Sequence, residues 1–229
     1  MKLLALETAT EACSVALWID GEVRERFGIA PRRHTELVLP WADALLAEAG
    51  MKKTELDAIA CGRGPGAFTG VRLAVALTQG LGLALDRPVL AISTLAALAL
   101  DASSDVGAAV LAAIDARMGE VYLGGFEREA DGVRALAPER LSPPAAVTPD
   151  ASRHWIGVGT GFGAEQGVLR TALGTTLLRV DPQALPHAAA IARLGARAFA
   201  RGEAIAPERL EPAYLRDKVA LTLAEQGKG

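Results

Sequence analysis

The sequence predicts an α/β protein of two lobes, each built from a repeated β-β-β-α-β-α-β-α unit. Three observations point there. Each half opens on short apolar segments that read as strands. Helical stretches then alternate with further strands. An Asp-Gly pair at 20–21 recurs at 131–132, about half of the 229-residue chain later.

The elements follow in order. KLLAL near the start is a short apolar strand, and CSVALWI alternates with β-branched and aromatic residues. Asp20-Gly21 supplies the two positive-φ positions of a type I′ hairpin, and EVRERF is its return strand. Residues 34–49 form an amphipathic helix, with Leu37, Val38, Trp41, Leu45 and Leu46 on one stripe. Pro40 should bend this helix or mark its true first turn. LDAIAC is the next strand and feeds GRGPGAFTGVRLAVALTQGLGLAL (62–85), a glycine-rich loop running into a helix. The strand PVLAI and the helix TLAALAL close the half.

The second half repeats the grammar. VLAAIDA and EVYLGGF are strands joined onward by the second Asp-Gly hairpin. WIGVG, a helix near 163–173, the strand TLLRV and a helix over 188–200 follow. The polar DASSD at 101–105 marks the division, giving lobes of 1–103 and 104–229. SPPAAVTPD is a loop inside the second lobe, and PERLEP leads into a C-terminal tail. Two such lobes around a cleft are the arrangement of actin-like ATPases, an analogy of fold and not of function.

Half of the residues are hydrophobic and 22% are charged, which describes a folded globular chain. A net charge of −3 argues against a nucleic-acid binder acting alone. No basic region followed by an apolar core and cleavage site opens the chain. Asp86-Arg87-Pro88 cuts the longest apolar stretch into two runs too short to cross a bilayer. Cys13 and Cys61 lie in strand-like segments and read as buried thiols of a reducing compartment. The expectation is a cytoplasmic protein without membrane contact.

The glycine-rich stretch is the first candidate for chemistry. A Walker loop needs a lysine after its last glycine, and no lysine occurs between Lys53 and Lys218. A dinucleotide fingerprint needs an acid at the end of the next strand, where this chain has Ser93. The helix start near Thr69 could hold an anion, or Thr69 could cap those N–H groups itself. The helix beyond is apolar all round. Gly66, Gly70, Ala74, Thr78 and Gly82 make one strip of small residues, and Ala76, Gly80 and Ala84 make a second. Each interior glycine costs about 0.8–1 kcal/mol relative to alanine, so the strips call for close packing. A helix of the same lobe or a second subunit would satisfy them.

Elsewhere the candidates thin out. His34, His154 and His187 are the only histidines, with no zinc-binding spacing. His34-Thr35-Glu36 reads as a helix start, and neither a G-x-S-x-G elbow nor a Cys-His pair occurs. Glu7-Thr8-Ala9-Thr10 and Asp115-Ala116-Arg117 occupy the hairpins where actin-like phosphotransferases place phosphate loops and magnesium-holding aspartates. Thr8, Thr10 and Asp115 are therefore candidates for weak ATP or ADP binding. No other cofactor and no metal site is expected.

GPGAFTGVR at 64–72 resembles the GPGSFTGLR signature of the bacterial TsaB (YeaZ) family, which acts in making threonylcarbamoyladenosine (t6A) in tRNA. LALETATEACSVAL, HTELVLP, DARMGEVY and PAYLR follow the same family order across nearly the whole chain. Glu7 stands where the family often has aspartate, and Thr35 where it often has serine. The resemblance implies an actin-like fold and a non-catalytic paralogue of the transferase TsaD. It also implies a homodimer or a TsaD heterodimer, recruitment of the ATPase TsaE, and tRNA contact only through the complex. The interface carried over comprises His34, Glu36, Leu37, Val38 and Trp41, then Phe68, Thr69, Arg72, Leu73, Ala76, Leu77, Gly80 and Leu81. Two rivals differ in class. A stand-alone actin-like kinase or ATPase would bind magnesium nucleotide through Thr8, Thr10 and Asp115. A metallopeptidase is disfavoured by the histidine count.

Overall fold

The computed structural model describes residues 1–103 and 105–216. The chain runs β1 (Lys2–Glu7), β2 (Ala12–Ile19), β3 (Glu22–Ile29), α1 (His34–Glu48), β4 (Ala58–Gly62), α2 (Phe68–Leu85), β5 (Val89–Ile92) and α3 (Thr94–Ala102). It continues through β6 (Ala109–Arg117), β7 (Glu120–Glu129), β8 (Gly132–Ala135), β9 (Arg140–Ser142), β10 (Trp155–Val158), α4 (Val168–Leu173), β11 (Leu177–Asp181) and α5 (Ala188–Ala200). The first sheet has the order β3-β2-β1-β4-β5. The second, read as β8-β7-β6-β10-β11, repeats that order strand for strand, with β9 added on β7. The first pairs in each sheet are antiparallel and the last two are parallel. The fold is mixed α/β with two sheets, the actin-like arrangement expected.

Alternation along each strand assigns the faces. On β1, Leu4 and Leu6 join Val38, Leu45, Leu46, Ala74 and Val75 of α1 and α2 in one core. Leu3 and Ala5 point the other way, onto Ala188, Ile191 and Ala192 of α5. The helix closing each half crosses to the opposite sheet. Leu95, Leu98 and Ala99 of α3 pack on Val110, Ala112 and Ile156 of the second sheet. α5, from the end of the second half, packs on the first sheet. The two sheets are thus joined through α3 and α5, which touch each other. Gly195 lets α5 come close to the first sheet: a Cβ there would sit 3.1 Å from the Ala60 side chain of β4.

Polar groups fasten α5 to the first sheet. Its first-turn N–H groups at Ala188 and Ala189 donate to Ser14 Oγ (2.9 Å) and Glu25 Oε1 (3.0 Å). Ser14 in turn donates to Glu25 Oε1 at 2.7 Å, and His187 Nδ1 lies 3.0 Å from Oε2. The His187 ring stacks on Phe27 at 4.1 Å. A carboxylate at a helix N-terminus also favours the helix dipole.

Several local expectations are corrected. The second unit lacks the helix that α1 supplies in the first. β9 and a single 3-10 turn at Pro144–Ala146 stand there, because Pro143-Pro144 removes two amide donors. The helix near 163–173 shrinks to Val168–Leu173, preceded by Glu165 and Gln166 in the left-handed region. Asp20-Gly21 is a hairpin with positive φ at both residues, as expected. In the second half Glu129 pairs with Gly132, so Ala130-Asp131 form the turn and neither has positive φ. Gly132 instead leaves room for Arg197, which a Cβ there would overlap. Pro40 lies inside α1, six residues beyond its start, and the helix continues past it. Cys13 and Cys61 are buried free thiols, and burial pushes them up to about 11 and about 12.

Candidate functional site

The glycine-rich loop joins the parallel strands β4 and β5 to the core through α2. Its backbone approaches its own chain, not an open site. A Cβ on Gly66 or Gly70 would overlap the carbonyl oxygens of Ala9 and Thr8, in the turn between β1 and β2. Ala67 N–H donates to Ala9 O at 2.7 Å, and Thr8 Oγ1 donates to Gly70 O at 2.7 Å. Gly64 has φ +97°, a conformation that favours glycine. The first small strip, Gly66 to Gly82, therefore serves packing inside the chain. Val71, Ala74, Val75, Thr78 and Gly82 are its buried face. By length and composition alone α2 could cross a membrane, yet this face is covered by the first sheet. Thr69 is not the cap: Ala67 holds the N-cap position, and Thr69 is exposed in the first turn.

The nucleotide candidates are all engaged. Thr8 is buried and spends its hydroxyl on Gly70 O. Thr10 is 8% exposed, and its Oγ1 accepts from Ala12 N–H. Asp115 accepts from Arg117 N–H at 2.8 Å and from Arg117 Nη1 at 2.7 Å. Glu7 lies wholly inside, its Oε1 accepting from Ala9 N–H (2.6 Å) and its Oε2 from Thr94 Oγ1 (2.9 Å). Burial raises its carboxyl to about 7, against the opposing pull of those hydrogen bonds. Among the described residues no group of three His, Cys, Asp or Glu side chains could hold a metal ion. A groove of about 490 Å³ beside Arg170 and Arg179 and a cavity of about 260 Å³ beside Trp155 both lie in the second half, away from this loop.

The outer face of α2 is open. Phe68, Thr69, Arg72, Ala76 and Gly80 are exposed along it, and no atom of the described residues comes within 4 Å of a Cβ built on Gly80. Leu73, Leu77 and Leu81 flank the strip half-buried. From α1, Glu36 is exposed and paired with Arg33 at 3.0 Å, and Leu37 and Trp41 are half-buried against the core. His34 is half-buried, with Nε2 3.1 Å from Ala12 O. Val38 is fully buried in the first-lobe core, so it does not reach a partner. The amphipathic stripe of α1 is its inward face, and this separates Val38 from Glu36.

One participant was hidden from the sequence. The segment after α5 runs back along α2 as a strap. Ile205 bridges to Val89, Leu210 is buried, and Gln79 Nε2 donates to Leu210 O at 3.0 Å. Ala213 N–H donates to Arg63 O, and Arg72 Nε donates to Tyr214 Oη at 2.9 Å. Arg216 then pairs with Glu120 of the second sheet at 3.0 Å. PAYLR was visible as a motif, but its contact lies 142 residues from Arg72 in sequence.

A family model described as TsaD, tRNA N6-adenosine threonylcarbamoyltransferase, matches residues 22–222. The tRNA threonylcarbamoyladenosine biosynthesis protein TsaB of Escherichia coli (strain K12) is 41% identical, with 96% of each chain covered. This chain belongs to the TsaB (YeaZ) family. The TsaB protein of Haemophilus influenzae is 38% identical, covering 96% of this chain and 95% of its own. Among solved structures, YeaZ from Pseudomonas aeruginosa superposes with a TM-score of 0.86 at 45% identity, covering 93% and 99% of the two chains. A Pseudomonas aeruginosa protein described as similar to peptidase YEAZ gives 0.86 at 46% identity, covering 94% and 99%. Membership in the TsaB family thus rests on nearly the full length and on both lobes.

Proposed function

We propose that this chain takes part in t6A biosynthesis as a non-catalytic scaffold and activator that pairs with a TsaD-type transferase. The observation that carries the reading is the outer strip of α2, which no described residue covers at Gly80, in a chain whose relatives are named for that pathway. A stable pairing needs an uncharged, closely approachable surface, and Ala76 and Gly80 provide one. The same face serves a homodimer when TsaD is absent. The pair recruits the TsaE ATPase, and tRNA is met only by the assembly.

The absence of catalysis by this subunit is supported by chemistry. Thr8, Thr10 and Asp115 already spend their polar atoms inside the chain, and Glu7 is sealed from solvent. Calorimetry with ATP and magnesium should show weak binding or none; tight magnesium-dependent binding would favour the stand-alone ATPase. The pairing itself is tested by mixing the purified chain with a TsaD protein and measuring mass by light scattering. A one-to-one complex is expected, and two species that never combine would overturn the reading.

A further inference from the structure

Arg72 is the only charged residue of the 18-residue helix α2, and it is exposed. Its guanidinium lies 3.5 Å over the Phe68 ring and 5.5 Å from the Tyr214 ring. Its Nε is spent on Tyr214 Oη, at 2.9 Å. Among the described residues no acid pairs with it, and neither Nη atom has a hydrogen-bond partner. A guanidinium held by two rings has lost much of the freedom that a surface arginine keeps. Its outer edge still presents two parallel donors, the geometry that a carboxylate accepts in a bidentate pair.

We infer that Arg72, held in place by Phe68 and by Tyr214 of the C-terminal strap, receives a carboxylate of the TsaD-type partner. This rests on the pairing proposed above and names the polar anchor of that face. The occupant is an acidic side chain set in an apolar surface of that partner: the free Nη edge calls for a carboxylate, and the uncharged strip beyond Arg72 (Ala76, Gly80, Leu83) calls for apolar cover. It also makes the strap part of the interface, with Tyr214 as a positioning residue. Tyr214 is 57% exposed and Phe68 is 51% exposed, so both rings stand clear to be covered with the arginine. Such aromatic and arginine groups are the side chains over-represented where binding energy concentrates.

The test measures the dissociation constant for the TsaD protein at low and at high salt, using the full chain and the variants Arg72→Ala, Arg72→Lys and Tyr214→Phe. Arg72→Ala should weaken pairing at least tenfold at low salt. Arg72→Lys should recover little of this, since an ammonium cannot form the parallel pair. Tyr214→Phe, which keeps the ring and removes the anchor, should cost about threefold. The losses should shrink in high salt, and thermal unfolding of each variant alone should match the parent. An Arg72→Ala protein that binds within twofold of the parent overturns the inference. If Gly80→Leu still blocks pairing in that case, the pairing face stands and only the role of Arg72 falls. If neither substitution matters, the pairing face itself is wrong. Loss of self-association with unchanged TsaD binding would make the occupant a second copy of this chain and overturn the inference.

Discussion

Thr94 Oγ1 donates to Glu7 Oε2 at 2.9 Å in the interior, joining the end of β1 to the first residue of α3. No cation pairs with this carboxyl among the described residues. Burial raises Glu7 to about 7 from an ordinary value near 4.5, so the folded state holds its proton more tightly than the unfolded chain does. The proton's contribution to stability is complete below about pH 4.5 and is lost as pH rises through about 7. Glu7→Gln keeps the shape and removes the titration. Denaturant unfolding should find the variant equal to the parent near pH 4.5 and more stable by about 2–3 kcal/mol at pH 8. Parallel pH profiles for the two proteins would refute the account.

The clamp on α5 carries the opposite charge logic. His187 is raised by its hydrogen bond to Glu25, against burial. Glu25 is penalised by burial, yet the hydrogen bonds from His187, Ser14 and Ala189 N–H outweigh this and lower it. The His187 contribution is present below about pH 6.5 and fades as pH rises through its higher folded value. The Glu25 contribution is lost as pH falls through its depressed value. The window of greatest stabilisation therefore lies between about pH 4.5 and 6.5. His187→Gln should cost about 1 kcal/mol near pH 5.5, a modest figure because the ring is half-exposed, and less at pH 8.5. A penalty that is flat from pH 5 to 9 would show that stacking on Phe27, not charge, holds the ring.

Two glycines of α2 should behave in opposite ways. At Gly70 a methyl group overlaps the Thr8 carbonyl, so Gly70→Ala should destabilise the monomer by about 1–3 kcal/mol despite the better helix former. At Gly80 the space is open among the described residues, so Gly80→Leu should leave the monomer at least as stable while blocking pairing. Thermal unfolding and light scattering on both variants separate the roles. A dimerising Gly80→Leu protein would mean that the strip faces solvent throughout.

Much of the first lobe was legible because its signals are local. Asp20-Gly21 needed two positive-φ positions, and both residues adopt them. The alternation of CSVALWI and the glycine-rich start of α2 likewise depend on neighbours in the chain. Asp131-Gly132 carried the same local signal and yet sits one position out of the turn, and Gly132 instead makes room for Arg197 from a distant helix. The site was legible only in outline. Val38 lies on the inward stripe of α1 with Leu45 and Leu46, while Glu36, two residues away, is exposed, so a motif that spans both faces mixes core with surface.

By itself the sequence determined the strand and helix order of the first half, the repeat of its strands in the second, the failure of a lysine-bearing phosphate loop, and the family. Those follow from periodicity, turn chemistry and motif. Only the tertiary structure decided that α3 and α5 cross between the sheets, and that Gly66 and Gly70 serve the Thr8–Ala9 turn while Gly80 stays bare. It alone brought Tyr214 to Arg72. The physical reason is common to all three: which face of an element is covered is settled by what packs on it from far along the chain, and no local pattern records that partner.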